Sequence, residues 1–164
     1  MAAGDASPLD DSRQYYGRFF QSAASAGDDN RARWVHYAAR WCRVDLLSYL
    51  VQVCGLPANK PSAQSRVGAS PSHDAAAVGN TETLRWLLEH TDSHISDVDD
   101  TGATVVHLAA RYGHLRMLKW LVTEVDGGRE ATHAQTLSRA LPLHLAAMNG
   151  HLDVVKFIVE HGAM

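Results

Sequence analysis

Ten histidines, two cysteines and the adjacent pair His73-Asp74 are the residues of this chain that could do chemistry. Imidazoles are common metal ligands, so the histidines raise a metal site first. Their spacing argues against it. His36, His73, His107 and His144 recur after 37, 34 and 37 residues. Each opens the frame His-x-Ala-Ala-x-x-Gly, except that Cys42 takes the glycine's place in the first copy. His114 and His151 follow the frame glycines, and His90 and His161 fall at the ends of later apolar stripes. Only His94 and His133 lie outside the pattern. Equivalent residues of stacked helical units stand roughly 10 Å apart, one helix spacing. A zinc ion needs its ligands about 2 Å from one centre. No metal or other cofactor is therefore expected. His73 and Asp74 are neighbours in sequence, and neighbours on a helix do not face each other. Gly-x-Ser-x-Gly is absent, and no glycine-rich phosphate loop follows a strand pattern. Cys42 next to Arg43 is the one cation-flanked thiol, and a buried or strained structural thiol is the simpler reading. The chain does not read as an enzyme.

Composition narrows the class further. Of 164 residues, 46% are hydrophobic and 20% charged, the balance of an ordered soluble protein. A net charge of −3 gives no broad basic field, so nucleic acid is not an expected partner. No apolar run approaches the roughly 20 residues that span a bilayer, so no membrane is expected either. Residues 1–11 are small and acidic, without the apolar stretch of a secretory signal. Two cysteines, Cys42 and Cys54, are too few for a disulfide framework and point to a reducing interior, cytosol or nucleus, with the cytoplasm the expected setting.

The elements that must position these residues follow from the same frame. Alanine pairs stand two and three residues after each histidine: Ala38/Ala39, Ala75/Ala76, Ala109/Ala110 and Ala146/Ala147. Alanine favours helix and adds little bulk, so paired helices can approach closely. Gly79, Gly113 and Gly150 then end that helix in a left-handed turn. At Cys42 either the residue carries strain or the turn is built differently. Pro71 and Pro142, two residues before the histidine, suit a first helical turn, and Thr104 suits an N-cap. A second helix follows each turn, with apolar residues near i, i+3, i+4 and i+7, as in Leu115, Met117, Leu118, Leu121 and Val122. Its aromatic residues, Tyr49, Trp86, Trp120 and Phe157, read as packing between units. Turn-rich stretches such as Asp99-Asp100-Thr101-Gly102-Ala103 connect the units.

The result is helix, tight turn, helix and projecting hairpin, four times over: residues 28–65, 66–98, 99–135 and 136–164. Residues 1–27 form an extension. Within it 1–12 read as disordered, and Tyr15, Tyr16, Phe19 and Phe20 predict a helix over 13–26 that caps the first unit. Residues 57–68 are rich in Pro, Ser and Ala and predict a mobile loop. The last unit stops at His161-Gly162-Ala163-Met164 without a polar closing helix, which reads as a piece or isoform of a longer array. The sequence resembles the ankyrin repeat, whose signature is Thr-Pro-Leu-His-x-Ala; Leu141-Pro142-Leu143-His144-Leu145-Ala146 is the nearest copy. The expected fold is an all-α ankyrin solenoid.

Function in a solenoid lies on its surface. Two residues separate the alanines from the turn glycine in each unit: Arg40/Trp41, Ala77/Val78, Arg111/Tyr112 and Met148/Asn149. They fall on the inner face below the hairpins and are not needed for packing. Aromatic residues, Met and Arg are the types enriched at protein interfaces. The hairpin acids Asp97, Asp99 and Asp100 would rim the same groove. A groove of this kind takes an extended or helical peptide with apolar anchors and charges of both signs. The alternative is a structural spacer or regulatory subunit with another protein partner.

A closer resemblance rests on the runs 68–79 (Gly-Ala-Ser-Pro-Ser-His-Asp-Ala-Ala-Ala-Val-Gly), 84–88 (Leu-Arg-Trp-Leu-Leu) and 102–114 (Gly-Ala-Thr-Val-Val-His-Leu-Ala-Ala-Arg-Tyr-Gly-His). These are similar to the ankyrin region of the espin and forked family of actin-bundling proteins. Asp74 stands in them where ankyrin repeats commonly carry Leu, which adds it to the candidate partner contacts. The resemblance implies a scaffold of actin protrusions whose ankyrin groove binds the tail of a class III myosin, or a segment of its own chain. Actin itself would be bound only through regions that this sequence does not contain.

Overall fold

The computed structural model describes residues 28–61 and 65–162, and regular structure among them is entirely helical. The first unit pairs α1 (Asp28–Arg40) with α2 (Val44–Ser48), which runs on into a π-helical turn, Tyr49–Val53. The second pairs α3 (Pro71–Val78) with α4 (Thr81–His90). The third pairs α5 (Val105–Arg111) with α6 (Leu115–Glu124) and adds a short α7 (Gly128–Ala131). The fourth pairs α8 (Pro142–Met148) with α9 (Leu152–His161). The inner helices α1, α3, α5 and α8 pack side by side in chain order, with the outer helices behind them.

The alanine frame explains that stacking. Ala38, Ala39, Ala75, Ala76, Ala109, Ala110 and Ala146 are buried where inner helices meet, and only a methyl-sized side chain permits that approach. Behind them Leu47, Leu50, Leu84, Leu87, Met117, Leu118 and Leu121 form one continuous core. Trp120 and Phe157 are buried and Trp86 is half-buried against the same core, as inter-unit packing requires. The Arg85 guanidinium lies 5.1 Å from the centre of the Trp120 ring and covers its outer face.

Local signals set the helix limits. Pro71 and Pro142 occupy first-turn positions, after Ser70 and Leu141 as extended N-caps. Gly79, Gly113 and Gly150 take φ of 77°, 74° and 75°, the left-handed region. The chain then reverses through one recurring bond, Asn80 N–H to Ala75 O, His114 N–H to Ala109 O and His151 N–H to Ala146 O. In the first unit Arg43 N–H bonds Ala38 O in the same way, and Cys42 has φ of 56°. The turn is therefore the same one, with a cysteine in a conformation that costs an L-residue about 1 kcal/mol.

Three hairpin tips are equivalent: 65–69, 99–103 and 136–140. In each, a side-chain oxygen of the first residue accepts the N–H of the last: Ser65 from Ala69, Asp99 from Ala103 and Thr136 from Ala140. Neighbouring tips are tied by Asp100 N–H to Val67 O at 2.8 Å and Leu137 N–H to Thr101 O at 2.9 Å. The tips thus form a continuous wall along the inner helices. The expected capping helix over 13–26, the extension before it and residues 62–64 of the 57–68 loop lie outside the described residues. The short helix α7 was not foreseen: a hairpin alone was expected between the third and fourth units.

Candidate functional site

The frame histidines come first, because they decide what the inner surface can do. Nδ1 of His73 accepts the Ser70 N–H at 3.3 Å, while Nε2 reaches Ala103 O in the next hairpin at 3.0 Å. His107 repeats this with Thr104 N–H at 3.1 Å and Ala140 O at 3.2 Å. One nitrogen accepts and the other donates, so both rings are neutral with the proton on Nε2. Burial holds His107 below the usual histidine range, opposed by its hydrogen bond to Ala140 O. His144 accepts the Leu141 N–H at 3.1 Å. These side chains pin each inner helix to its own start and, in His73 and His107, to the following hairpin.

A second histidine pair locks the turns. Nε2 of His114 donates to Ala77 O at 2.8 Å, and Nε2 of His151 to Arg111 O at 3.0 Å. Their rings lie against the preceding turn glycine. A Cβ at Gly79 or Gly113 would stand 2.5 Å from the facing Nδ1. Asn80 holds this place in the second unit, its amide 3.4 Å from Ala39 O. Asparagine is shorter than histidine, and the residue it follows up the stack is Cys42 rather than glycine. Among the described residues no three His, Cys, Asp or Glu side chains gather as a metal site.

His36 departs from its equivalents. Its Nδ1 lies 2.5 Å from Asp74 Oδ2 and its Nε2 faces Lys60 O at 3.1 Å. Arg40 Nη2 donates to Asp74 Oδ1 at 2.9 Å. Asp74 is buried, so its carboxylate is engaged from both oxygens inside the fold. As a partner contact it differs from the sequence expectation: it ties α3 to α1.

Between the hairpin wall and the inner helices runs a cleft of about 520 Å³. Arg40, Asp74, Ala77, Asp99, Arg111 and Tyr112, six of the residues proposed from sequence, line it. Trp41, Val78 and Met148 lie outside the lining but open to solvent beside it, 75%, 48% and 80% exposed, and Tyr112 is 49% exposed. Asn149 is exposed, with its amide bonded back to Leu145 O at 2.8 Å. Asp100 is exposed at a hairpin tip.

The acidic rim expected from the sequence is largely absent. Oδ1 of Asp99 accepts from Thr101 N–H, Thr101 Oγ1 and Ala103 N–H, and the residue is buried. Asp97 accepts the His94 N–H in a separate turn, away from the cleft lining. The sequence reading also missed Arg66, Leu108 and Leu145, which line the cleft. Aligning 65–69 with 99–103 would have placed Arg66 on the hairpin wall. The Arg111 guanidinium lies 5.6 Å from the Tyr112 ring centre, a cation–π contact at the middle of the cleft.

This architecture, inner helices closed by histidine pins and roofed by linked hairpins, has a family match. The family model described as ankyrin repeats (three copies) matches residues 35–133 and 72–164. The chain belongs to the ankyrin-repeat family. No curated protein matches it. Ankyrin repeats are protein–protein interaction modules and typically not enzymes. No helix among the described residues is long and apolar enough to cross a membrane.

Proposed function

We propose that this array is a peptide-binding module of a scaffold protein and that its inner cleft, together with the exposed helix ends beside it, is the recognition surface. One observation carries the reading. Trp41, Val78, Tyr112 and Met148 recur at the end of successive inner helices, all exposed, and none belongs to the buried core. Exposed apolar side chains gathered at the ends of successive inner helices, with Arg111 beside them, are the composition of binding hot spots.

The resemblance to the espin and forked ankyrin region makes the tail of a class III myosin the first partner to test. A segment of the same protein is the second. A myosin tail would place the protein in the cytoplasm at the actin cytoskeleton. Titration calorimetry of a class III myosin tail peptide tests the reading. Measurable heat is expected, and Trp41→Ala with Tyr112→Ala should weaken binding by about 2 kcal/mol or more at unchanged helicity. Binding untouched by both substitutions contradicts the groove. A spacer would bind none of these peptides.

A further inference from the structure

The charge of the cleft is opposite to that of the chain. The whole chain carries −3. Three guanidinium groups, Arg40, Arg66 and Arg111, line the cleft against two carboxylates, Asp74 and Asp99. Both carboxylates are engaged within the fold. Asp74 holds His36 and Arg40, and Asp99 holds three donors of its own turn. Arg66 is exposed and makes no ion pair or side-chain hydrogen bond among the described residues. Arg111 is exposed and rests on Tyr112, with no carboxylate partner among the described residues. The cleft therefore presents two guanidiniums without an ion-pair partner, one from the hairpin wall and one from α5, against the single carboxylate of Asp99 and over a floor that includes Leu108 and Leu145.

We propose that the cleft recognises an acidic segment of a partner protein, its carboxylates on Arg66 and Arg111 and its apolar residues on Leu108, Tyr112 and Leu145. This rests on the reading of the cleft as a peptide site. A guanidinium fork matches a carboxylate in two parallel hydrogen bonds, and a half-enclosed cleft screens such a pair less than open water does. Tyr112 adds an apolar face beside one of the forks.

Fluorescence anisotropy tests it with a short labelled peptide of glutamate, glycine and leucine, and its counterpart with lysine for every glutamate. The glutamate peptide should bind at least about tenfold more tightly than the lysine peptide. Added salt should narrow that gap. Arg66→Glu with Arg111→Glu should reverse the order of the two peptides. Arg66→Gln with Arg111→Gln should weaken the glutamate peptide about tenfold at unchanged helicity, which separates lost contacts from lost fold. Equal affinity for the two peptides overturns the proposal, as does an order that survives charge reversal. Tighter binding to phosphatidylserine vesicles than to the glutamate peptide also overturns it. A partner peptide weakened by Tyr112→Ala but indifferent to Arg66→Glu would overturn the acidic specificity and leave the groove standing. Glutamate-peptide binding indifferent to Tyr112→Ala and to both arginines would overturn the groove reading itself.

Discussion

The junction between the first and second units and the junction between the second and third share a backbone and differ in chemistry. In the later junction a neutral histidine, His73, reaches a hairpin carbonyl, Leu108 packs half-buried against the core, and the His114 ring fills the space above Gly79. In the earlier one Asp74 replaces that leucine, and His36 and Arg40 converge on its carboxylate. Asn80 replaces the histidine, and Cys42 replaces the glycine. The changes are coupled in space: a shorter side chain stands above a residue that has gained a Cβ. An ankyrin junction can thus be closed by a neutral hydrogen-bond lattice or by a buried charge, provided the left-handed turn is kept. The charge has a functional side. It ties the Asp74 carboxylate to His36 and Arg40 and leaves Arg66 and Arg111 without an ion-pair partner in the cleft.

The largest test of this contrast is Asp74→Ala. It leaves His36 and Arg40 without their acceptor and should lower unfolding free energy by about 3 kcal/mol. Leu108→Ala at the equivalent position of the third unit removes only a half-buried aliphatic group and should cost about 1 kcal/mol. Urea denaturation measures both. Equal losses would mean that the charge cluster adds nothing to the junction.

The turn residues come next. Gly113→Ala meets both a left-handed φ and the His151 ring, so a loss of about 2 kcal/mol is expected. Gly150→Ala meets the same φ with nothing within 4 Å of the new Cβ and should cost about 1 kcal/mol. Cys42→Gly should stabilise by about 0.5–1 kcal/mol, because it relieves the left-handed cysteine. A destabilising Cys42→Gly would show that the thiol packs usefully.

The smallest expected effect is on pH dependence. His107 is held neutral by burial, below its ordinary value of 6.5, so the unfolded chain binds this proton more readily. Its contribution to stability is complete above pH 6.5 and is lost as pH falls through the lower folded value. The melting temperature should therefore drop on acidification from pH 6.5 down through that value, and His107→Gln should flatten the drop. An unchanged acid slope in His107→Gln would assign the drop to other groups.

What the sequence made legible was local. The four frames, the proline starts and the left-handed glycines are set by residues within one unit, and the helices fall where those residues predict. Asp74 could not be read, because its partners lie 38 and 34 residues away and the frame says only that it follows a histidine. Asp99 looked like a rim charge, but an aspartate that opens a five-residue turn folds back onto the N–H groups of that turn. Helix α7 escaped because four residues carry no period to read. Arg66 escaped because its hairpin lacks the acidic and threonine residues that marked 99–103.

The most direct measurement is amide chemical-shift mapping of the protein titrated with the class III myosin tail peptide. Binding in the cleft predicts shifts at Val67, Ala77, Leu108, Arg111 and Tyr112, with the outer helices α4 and α6 unmoved. Shifts confined to the outer helices, or none at saturating peptide, would contradict the inner cleft as the place where this ankyrin array meets that partner.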